Sequence, residues 1–211
     1  PREDSTFDVL TGDASIIDAK VATHVPRLSI VPATIDLMSF DREVGDSSGT
    51  HYRLRYCFAE LAAHESDDAR TTYVLIDCPP SLNLLTLNAL AAADAVLVPL
   101  QCEFFALEGL AQLLSTVEEI RARLNPKLRI HGVVLTMYDQ RTSLSDQVVQ
   151  DVRDVLGDKV YTTVIPRNVR VAESPSHGKP VLLYDYKCSG SQAYIQLASE
   201  VIERERRMGA A

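Results

Sequence analysis

An apolar run that ends in an acidic residue is the part of this chain best suited to chemistry. Residues 73–81 read Y-V-L-I-D-C-P-P-S, so Asp77 directly follows four apolar side chains. Such an unbroken run is typical of a central strand in a parallel sheet, and these sheets bind ligands at the carboxyl ends of their strands. An acid there can hold a Mg²⁺-bound water or orient a water for phosphoryl transfer. The same residues also fit a simpler role, in which Asp77 caps a turn before Pro79 and Pro80.

The loop that usually cradles phosphates is missing from this sequence. Its pattern is G-x-x-x-x-G-K-[ST], and none of the nine glycines fits it. Gly45 and Gly49 precede Thr50 without a lysine, and the pair Gly178-Lys179 is followed by proline. The chain therefore carries a candidate acid for metal and water without the expected phosphate donors.

Composition predicts a globular protein of the cytoplasm. With 211 residues, of which 46% are hydrophobic, the chain can bury one core, and we expect a single domain over residues 1–211. No apolar stretch is long enough to span a membrane, and the first residues lack the pattern of a signal peptide. The four cysteines are far apart in sequence, which argues against a zinc site and against a disulfide framework.

Charge is distributed unevenly along the chain. The net charge is −8, yet residues 159–188 hold five basic and two acidic side chains, a local +3 that leaves −11 for the rest. The basic residues are Lys159, Arg167, Arg170, Lys179 and Lys187, and the acidic ones are Glu173 and Asp185. A locally basic patch can bind the phosphates of nucleic acid even in an acidic protein.

Strand-like and helical patterns alternate along the sequence. The strand-like runs are Leu28–Val31, Tyr73–Ile76, Ala95–Val98, Ile130–Leu135 and Val160–Ile165. Apolar residues at three-to-four spacing predict helices at Tyr52–His64, Leu82–Ala92, Leu107–Leu124, Ser143–Leu156 and Gln192–Arg207. This alternation predicts an α/β fold with a mostly parallel, doubly wound sheet.

Six ordered segments together resemble the ParA/Soj chromosome- and plasmid-partitioning ATPases, deviant-Walker members of the P-loop NTPase class. They are S-T-F-D-V-L-T-G-D-A-S near the start, V-P-A-T-I-D-L at 31–37, Y-R-L-R at 52–55, V-L-I-D-C-P-P-S-L-N-L-L-T-L-N-A-L at 74–90, V-P-L-Q-C-E-F-F-A-L-E-G-L at 98–110, and I-P-R-N-V-R-V-A-E-S-P-S-H-G-K-P-V at 165–181. The resemblance implies a partitioning ATPase with ATP and Mg²⁺ as cofactors. It also implies an ATP-dependent homodimer, nonspecific binding of nucleoid DNA, and a ParB-type centromere-binding partner that triggers hydrolysis.

The resemblance assigns nucleotide-site roles to four residues. Asp77 matches the Walker B acid, which is catalytic and holds Mg²⁺ through water. Pro166, Arg167 and Asn168 match the loop that holds the adenine base. The residues alone also allow an ordinary turn, in which Pro166 ends a strand and Asn168 supports the backbone.

DNA and dimer contacts are implied at two further places. Arg170 matches the basic residue that the family uses for DNA binding, and a guanidinium suits this role because it stays charged and offers two donors to phosphate. Lys179 is a weaker candidate, as is Arg167. The adjacent Phe104 and Phe105 match a region near the dimer interface, although they could instead pack as core under the following helix.

The chain departs from the family at its beginning. Family members open with a strand, the deviant Walker A loop, a helix and a second strand, and this sequence starts after all four. Such a unit occupies at least about 30 residues, so we expect the sheet to lack two strands. We also expect this chain alone to hydrolyse ATP poorly or not at all, which leaves open whether it is an enzyme.

Two other functions remain open on the sequence. One is a MinD-type positioning ATPase that targets membranes, but Ile202–Ala211 has too few large apolar residues for a membrane anchor. The other is a non-enzymatic ParA-like paralogue that only binds DNA or dimerises.

Overall fold

Residues 4–45, 49–65, 71–79 and 81–209 are described by the computed structural model. The chain divides into two units. Unit 1 comprises Pro1–Asp94 and Glu119–Leu128, and unit 2 comprises Ala95–Glu118 and Arg129–Ala211. The single domain expected from composition stays a prediction.

Short helices dominate unit 1. They are α1 (Thr6–Thr11), α2 (Phe40–Val44), α3 (Arg53–His64) and α4 (Leu84–Ala92). Ser5 begins α1 with a capping box, because its hydroxyl and its N–H both donate to the Asp8 carboxylate, at 2.6 and 2.9 Å. Leu10 and Leu54 pack on the fully buried Phe40, so that α1, α2 and α3 share one small apolar core.

The predicted strand Leu28–Val31 is found in part. Only β2 (Ser29–Ile30) forms, and it pairs antiparallel with β1 (Val21–Ala22) in a separate two-stranded sheet. Both strands are exposed along their length. The prediction that this run joins a parallel sheet is therefore wrong.

The predicted central strand Tyr73–Ile76 is wrong as well. Residues 71–79, all of which the structure describes, form no strand. Leu75 is 92% exposed and Val74 is 49% exposed. A central strand is buried and straight only when neighbouring strands satisfy its backbone groups, and no described residue supplies such a ladder to this segment.

Unit 2 contains the parallel sheet. Its strands are β3 (Ala95–Gln101), β4 (Arg129–Tyr138) and β5 (Val160–Pro166), in the spatial order β3-β4-β5 with parallel pairing throughout. The helices are α5 (Ala106–Arg123), whose last residues belong to unit 1, α6 (Ser143–Leu156), α7 (Val169–Glu173), α8 (Val181–Tyr184) and α9 (Ser189–Gly209). The α/β class with a parallel sheet is confirmed.

Both faces of this sheet are covered. Along β4, Val133 and Leu135 point into a core that includes Leu110 of α5 and Val152 of α6. Val134, between them, points to the opposite face. There it meets Tyr161 and Ile165 of β5 and Ala193 and Leu197 of α9. The alternation along one strand thus produces the doubly wound arrangement predicted from sequence.

Helix positions agree closely with the sequence patterns. Helix α6 spans Ser143–Leu156, as predicted, and α3 and α5 begin within one residue of their predicted starts. Among the described residues, no helix is both long enough and apolar enough to cross a membrane. The cysteines are free thiols, and Cys102 is buried whereas Cys78 is exposed.

Candidate functional site

The carboxyl edge of the parallel sheet positions the predicted adenine loop. Because β3, β4 and β5 are parallel, their carboxyl ends lie on one edge. Pro166, the last residue of β5, stands opposite Tyr138 of β4. The Arg167 N–H donates to the Tyr138 carbonyl at 2.9 Å, so the loop remains attached to the sheet one residue beyond the strand.

Asn168 stabilises the turn that follows. Its side-chain oxygen accepts a hydrogen bond from the Arg170 N–H at 2.8 Å and caps α7. Its side-chain nitrogen donates to the Ser189 hydroxyl at 2.9 Å, at the start of α9. An amide has two lone pairs and two N–H bonds, so one acceptor site and one donor remain for a ligand.

A close helix approach, which the sequence analysis missed, holds this turn in place. A Cβ atom built on Gly190 would lie 2.4 Å from Cγ2 of Val171 and 3.3 Å from Cβ of Asn168. Glycine is therefore required for α7 to pack against the start of α9. The S-G-S pattern around Gly190 is the only sequence signal that could have indicated it.

A second missed feature lies at the end of β4. Arg141 holds Asp139 with two hydrogen bonds, from Nε at 2.9 Å and from Nη2 at 2.7 Å. These bonds, assisted by the charge of Arg167, hold the pKa of the Asp139 carboxyl well below its usual range. Met137 beside them has a φ of 54°, which is rare for a residue with a side chain. Strained backbone and fixed charge of this kind often mark a ligand edge.

Arg170 is paired with two acidic residues. Its Nη1 lies 3.0 Å from Oε2 of Glu173 and its Nε lies 3.5 Å from Oδ2 of Asp185. The hydrogen bond that Arg170 donates to Glu173, followed by its interaction with Tyr184, raises the pKa of the Arg170 guanidinium. The side chain is still 52% exposed, so phosphate can reach it in competition with these partners.

Other basic side chains of the patch have no such partner. Arg167, Lys179 and Lys187 are exposed and form no ion pair with a described residue. The Lys179 N–H donates to the Ser174 carbonyl at 3.3 Å, which fixes its backbone close to the end of α7. The predicted adenine-loop residues thus lead directly into α7, whose second residue is Arg170, and Lys179 follows beyond the end of that helix.

The two phenylalanines after β3 point into solvent. Phe104 is 76% exposed and Phe105 is 72% exposed, and their rings meet edge to face with centroids 5.1 Å apart. The alternative in which they pack as core is wrong, because β3 ends at Gln101 and α5 begins only at Ala106. An exposed aromatic pair of this kind is suited to contact another protein surface.

Asp77 lies in unit 1, beside an apolar cleft. The cleft has a volume of about 610 Å³ and is lined by side chains such as Leu10, Phe58 and Leu85 together with the segment from Val74 to Asp77. The Asp77 carboxylate is exposed and makes no hydrogen bond or ion pair with a described residue. Partial desolvation of the Cys78 thiol, with a contribution from the neighbouring Asp77 charge, raises its pKa.

A polar tether holds the start of the same segment. Glu65 accepts hydrogen bonds from Nζ of Lys20 at 2.8 Å, from the Thr71 N–H at 2.5 Å and from the Thr71 hydroxyl at 2.6 Å. The Lys20 bond, followed by those of Thr71, lowers the pKa of Glu65 to about 2. The segment thus has one fixed end at Thr71 and carries Asp77 near its other end.

The donor set fits water-mediated binding of a metal. Within the ranges described, no group of three or more His, Cys, Asp or Glu side chains could hold a metal ion directly. A lone free carboxylate is the arrangement through which Mg²⁺, which keeps several of its waters, is commonly held in nucleotide sites. Asp77 would hold Mg²⁺ in that way.

One family model and several known proteins match this chain in sequence. A family model described as an AAA domain matches residues 2–130. The chromosome partitioning protein ParA of Caulobacter vibrioides is 60% identical over 205 residues, which cover 97% of this chain and 75% of the relative. The sporulation initiation inhibitor protein Soj of Bacillus subtilis is 48% identical over 199 residues, covering 94% and 76% of the two chains.

Solved structures share the fold. Cobyrinic acid a,c-diamide synthase from Mycobacterium smegmatis, with bound ADP and magnesium, is 34% identical with a TM-score of 0.78, covering 96% of this chain and 72% of that one. The septum site-determining protein MinD from Pyrococcus horikoshii, complexed with Mg-ADP, is 24% identical with a TM-score of 0.72, covering 93% and 72%. At that identity the second likeness concerns the fold alone.

Proposed function

The chain belongs to the ParA/Soj family of chromosome-partitioning ATPases, and we propose that it takes part in DNA segregation through ATP-dependent dimerisation and nonspecific DNA binding. The observation that carries this proposal is the loop at the carboxyl edge of the sheet. A turn suited to a base, Pro166–Asn168, lies there directly beside an exposed basic surface that begins at Arg170. The loop and the helix α7 that it caps can therefore respond to nucleotide and contact DNA together.

Nucleotide binding is proposed at the loop after β5 and at Asp77. The Pro166 ring and the remaining donor and acceptor of the Asn168 amide would contact the adenine base. Asp77 would hold Mg²⁺ through water and orient the attacking water, and the bound ion would supply positive charge opposite the phosphates. Support comes from the family membership and from the exposed Asp77 carboxylate, which makes no hydrogen bond or ion pair with a described residue.

DNA binding is proposed through Arg170, with Lys179 and Arg167 as lesser contributors. These side chains are exposed on or close to α7, and contacts of lysine and arginine with phosphate carry no sequence information. Binding of this kind suits association with the nucleoid at many sites. A ParB-type centromere-binding protein would then stimulate hydrolysis and release the DNA.

Dimerisation is proposed through the exposed aromatic pair. Phe104 and Phe105 leave two rings in water, and covering them with a second copy of the chain would bury apolar surface. The homodimer would form when ATP is bound.

Hydrolysis by this chain alone is expected to be weak. The sequence contains no phosphate loop, so the main backbone donors to the phosphates are missing, and these donors are central to phosphoryl transfer. Turnover and ATP binding of the 211-residue chain would be measured directly. Stoichiometric ATP binding with measurable turnover would contradict this expectation.

The DNA assignment is tested by substituting Arg170 with alanine. Arg170→Ala should weaken binding to a nonspecific duplex and reduce the slope of log affinity against log salt by about 0.9, the value of one phosphate contact. Arg207→Ala is the matched control, because Arg207 is also an exposed arginine paired with an acid, Glu203, at 3.8 Å. Equal affinity and equal slope for Arg170→Ala and the parent would refute the assignment.

A further inference from the structure

The two acidic residues within the basic segment form ion pairs with the same arginine. Residues 159–188 contain only Glu173 and Asp185 as acids, and each is paired with Arg170, at 3.0 and 3.5 Å. In sequence they merely lower the local charge from +5 to +3. In the structure both acids pair with Arg170, so the positive charge is reduced mainly at that one side chain.

We propose that Glu173 and Asp185 act as an acidic brake on Arg170, which limits the strength and the salt dependence of DNA binding. The inference rests on the proposed DNA-binding role of Arg170. It assigns to both acids a part in setting DNA affinity that is separate from ATP binding and from hydrolysis.

Glu173 is held in place by its own contacts. The Tyr184 hydroxyl donates to the same Oε2 that pairs with Arg170, at 3.3 Å. The Tyr184 ring is in turn stacked on His177, with centroids 4.8 Å apart and planes 24° apart. Because one oxygen of Glu173 receives both bonds, the carboxylate cannot turn away from Arg170 without breaking the bond to Tyr184.

Asp185 is held at the end of α8. Its N–H donates to the Val181 carbonyl at 2.8 Å and its carbonyl accepts from the Ser191 hydroxyl at 2.6 Å. Its Oδ1 accepts from the Lys187 N–H at 3.2 Å, which leaves Oδ2 directed at Nε of Arg170. Both carboxylates are therefore fixed by groups outside the ion pair, unlike a loose surface salt bridge.

The two Arg170 donors that face the acids are donors that a phosphate could otherwise use. Nε and Nη1 of Arg170 face the two acids, so a phosphate must approach through the remaining N–H groups or displace a carboxylate. In either case it approaches a negative charge. Lys179 has no ion pair with a described residue, so a phosphate can bind it without displacing a carboxylate.

The first experiment removes one charge while it keeps the shape. Glu173→Gln should bind a nonspecific duplex about threefold to tenfold more tightly near 0.1 M salt, with a salt slope steeper by up to about 0.9. Binding would be followed by fluorescence anisotropy of labelled DNA, with ATP and Mg²⁺ present. Glu203→Gln is the control because it removes an equal charge from the Arg207 ion pair at 3.8 Å, and we expect a change below about twofold from screened long-range charge.

The second experiment asks whether the effect passes through Arg170. In the Arg170→Ala background, Glu173→Gln should no longer tighten DNA binding, since the freed guanidinium is gone. Asp185→Asn should act like Glu173→Gln but more weakly, because its contact is longer. Far-ultraviolet circular dichroism and denaturant unfolding would show that each variant is folded.

The outcomes separate this inference from the function on which it rests. If Arg170→Ala weakens DNA binding but Glu173→Gln and Asp185→Asn leave it unchanged, the brake is refuted and the proposed function survives. If Glu173→Gln tightens DNA binding by the same factor in the parent and in the Arg170→Ala background, Glu173 repels DNA on its own. The brake on Arg170 is then refuted. If Arg170→Ala changes nothing, the DNA role of Arg170 is refuted first.

Discussion

Two segments of this protein share one sequence pattern and differ in structure. Both Tyr73–Ile76 and Val160–Ile165 are short strand-like runs that are followed within three residues by proline. The second is β5, whose Val160, Tyr161 and Ile165 are buried in the sheet of unit 2. The first forms no strand in unit 1 and leaves Leu75 almost wholly exposed.

The difference shows that neighbours decide whether an apolar run becomes a strand. β5 has β4 beside it, and α9 covers one of its faces. Residues 71–79 have no described strand beside them, and the Glu65 tether at Thr71 is their clearest polar anchor. Hydrophobic content is therefore not enough, because a strand also needs partners for its backbone N–H and C=O groups.

The largest expected effect is the difference in the free energy of unfolding between two alanine substitutions, one in each segment. Ile165→Ala removes a side chain that is 3% exposed, and we expect a loss of about 2–5 kcal/mol in the free energy of unfolding. Leu75→Ala should change it by less than about 0.5 kcal/mol. Denaturant unfolding measures both. Similar losses at the two positions would contradict the comparison, since they would mean that Leu75 is buried.

Substitution of Gly190, where α7 packs closely against the start of α9, should give the next largest loss of stability. Gly190→Ala places a methyl group 2.4 Å from Val171, so we expect a loss of about 1–3 kcal/mol. Gly209→Ala, at the end of the same helix α9, meets no atom within 4 Å and should leave stability nearly unchanged. Thermal unfolding of the two variants tests this, and equal stability would show that α7 does not pack against Gly190 as described.

The helix caps of the two units allow a matched comparison. Asn83 caps α4 in unit 1 by accepting from the Thr86 N–H at 3.0 Å, as Asn168 caps α7 in unit 2. Alanine at either position should cost about 1 kcal/mol. The loss should be larger at Asn168, which also donates to Ser189.

Aspartate at position 168 separates the two contributions. Asn168→Asp keeps the acceptor that caps α7 but removes the donor to Ser189, so it should recover only part of the loss in unfolding experiments. Full recovery would mean that the Ser189 contact contributes nothing.

The smallest expected effect is a pH dependence at the tether of unit 1. Because Lys20 and Thr71 lower the pKa of Glu65 to about 2, its stabilisation is present above the unfolded value of about 4.3 and is lost as pH falls from there towards 2. Lys20→Met should remove part of this dependence. The free energies of unfolding of the parent and the variant, measured as a function of pH, should therefore differ near neutral pH and converge in acid. Parallel curves over the whole range would show that Lys20 does not hold Glu65.

Much of unit 2 was predictable from sequence, and much of unit 1 was not. The pattern at Ser143–Leu156 predicts α6 with both its ends, and the apolar run at Val160–Ile165 predicts β5 to within one residue, because local periodicity and packing agree there. Asn168 was identified as a nucleotide-loop residue or a support of the turn, and its contacts show that it supports the turn. Its role at the nucleotide stays a prediction, as does the catalytic role of Asp77.

The sequence by itself determined the longer helices, the three strands of the parallel sheet, the family, and the local excess of basic charge, because these depend on residue types and their spacing along the chain. Tertiary structure alone decided that Tyr73–Ile76 remains exposed, that Gly190 must lack a side chain, and that Glu173 and Asp185 both face Arg170. Ladder partners, the contact of Gly190 with Val171 and the ion pair of Asp185 with Arg170 join groups that are distant in sequence. Their positions depend on packing, which no pattern of neighbouring residues specifies.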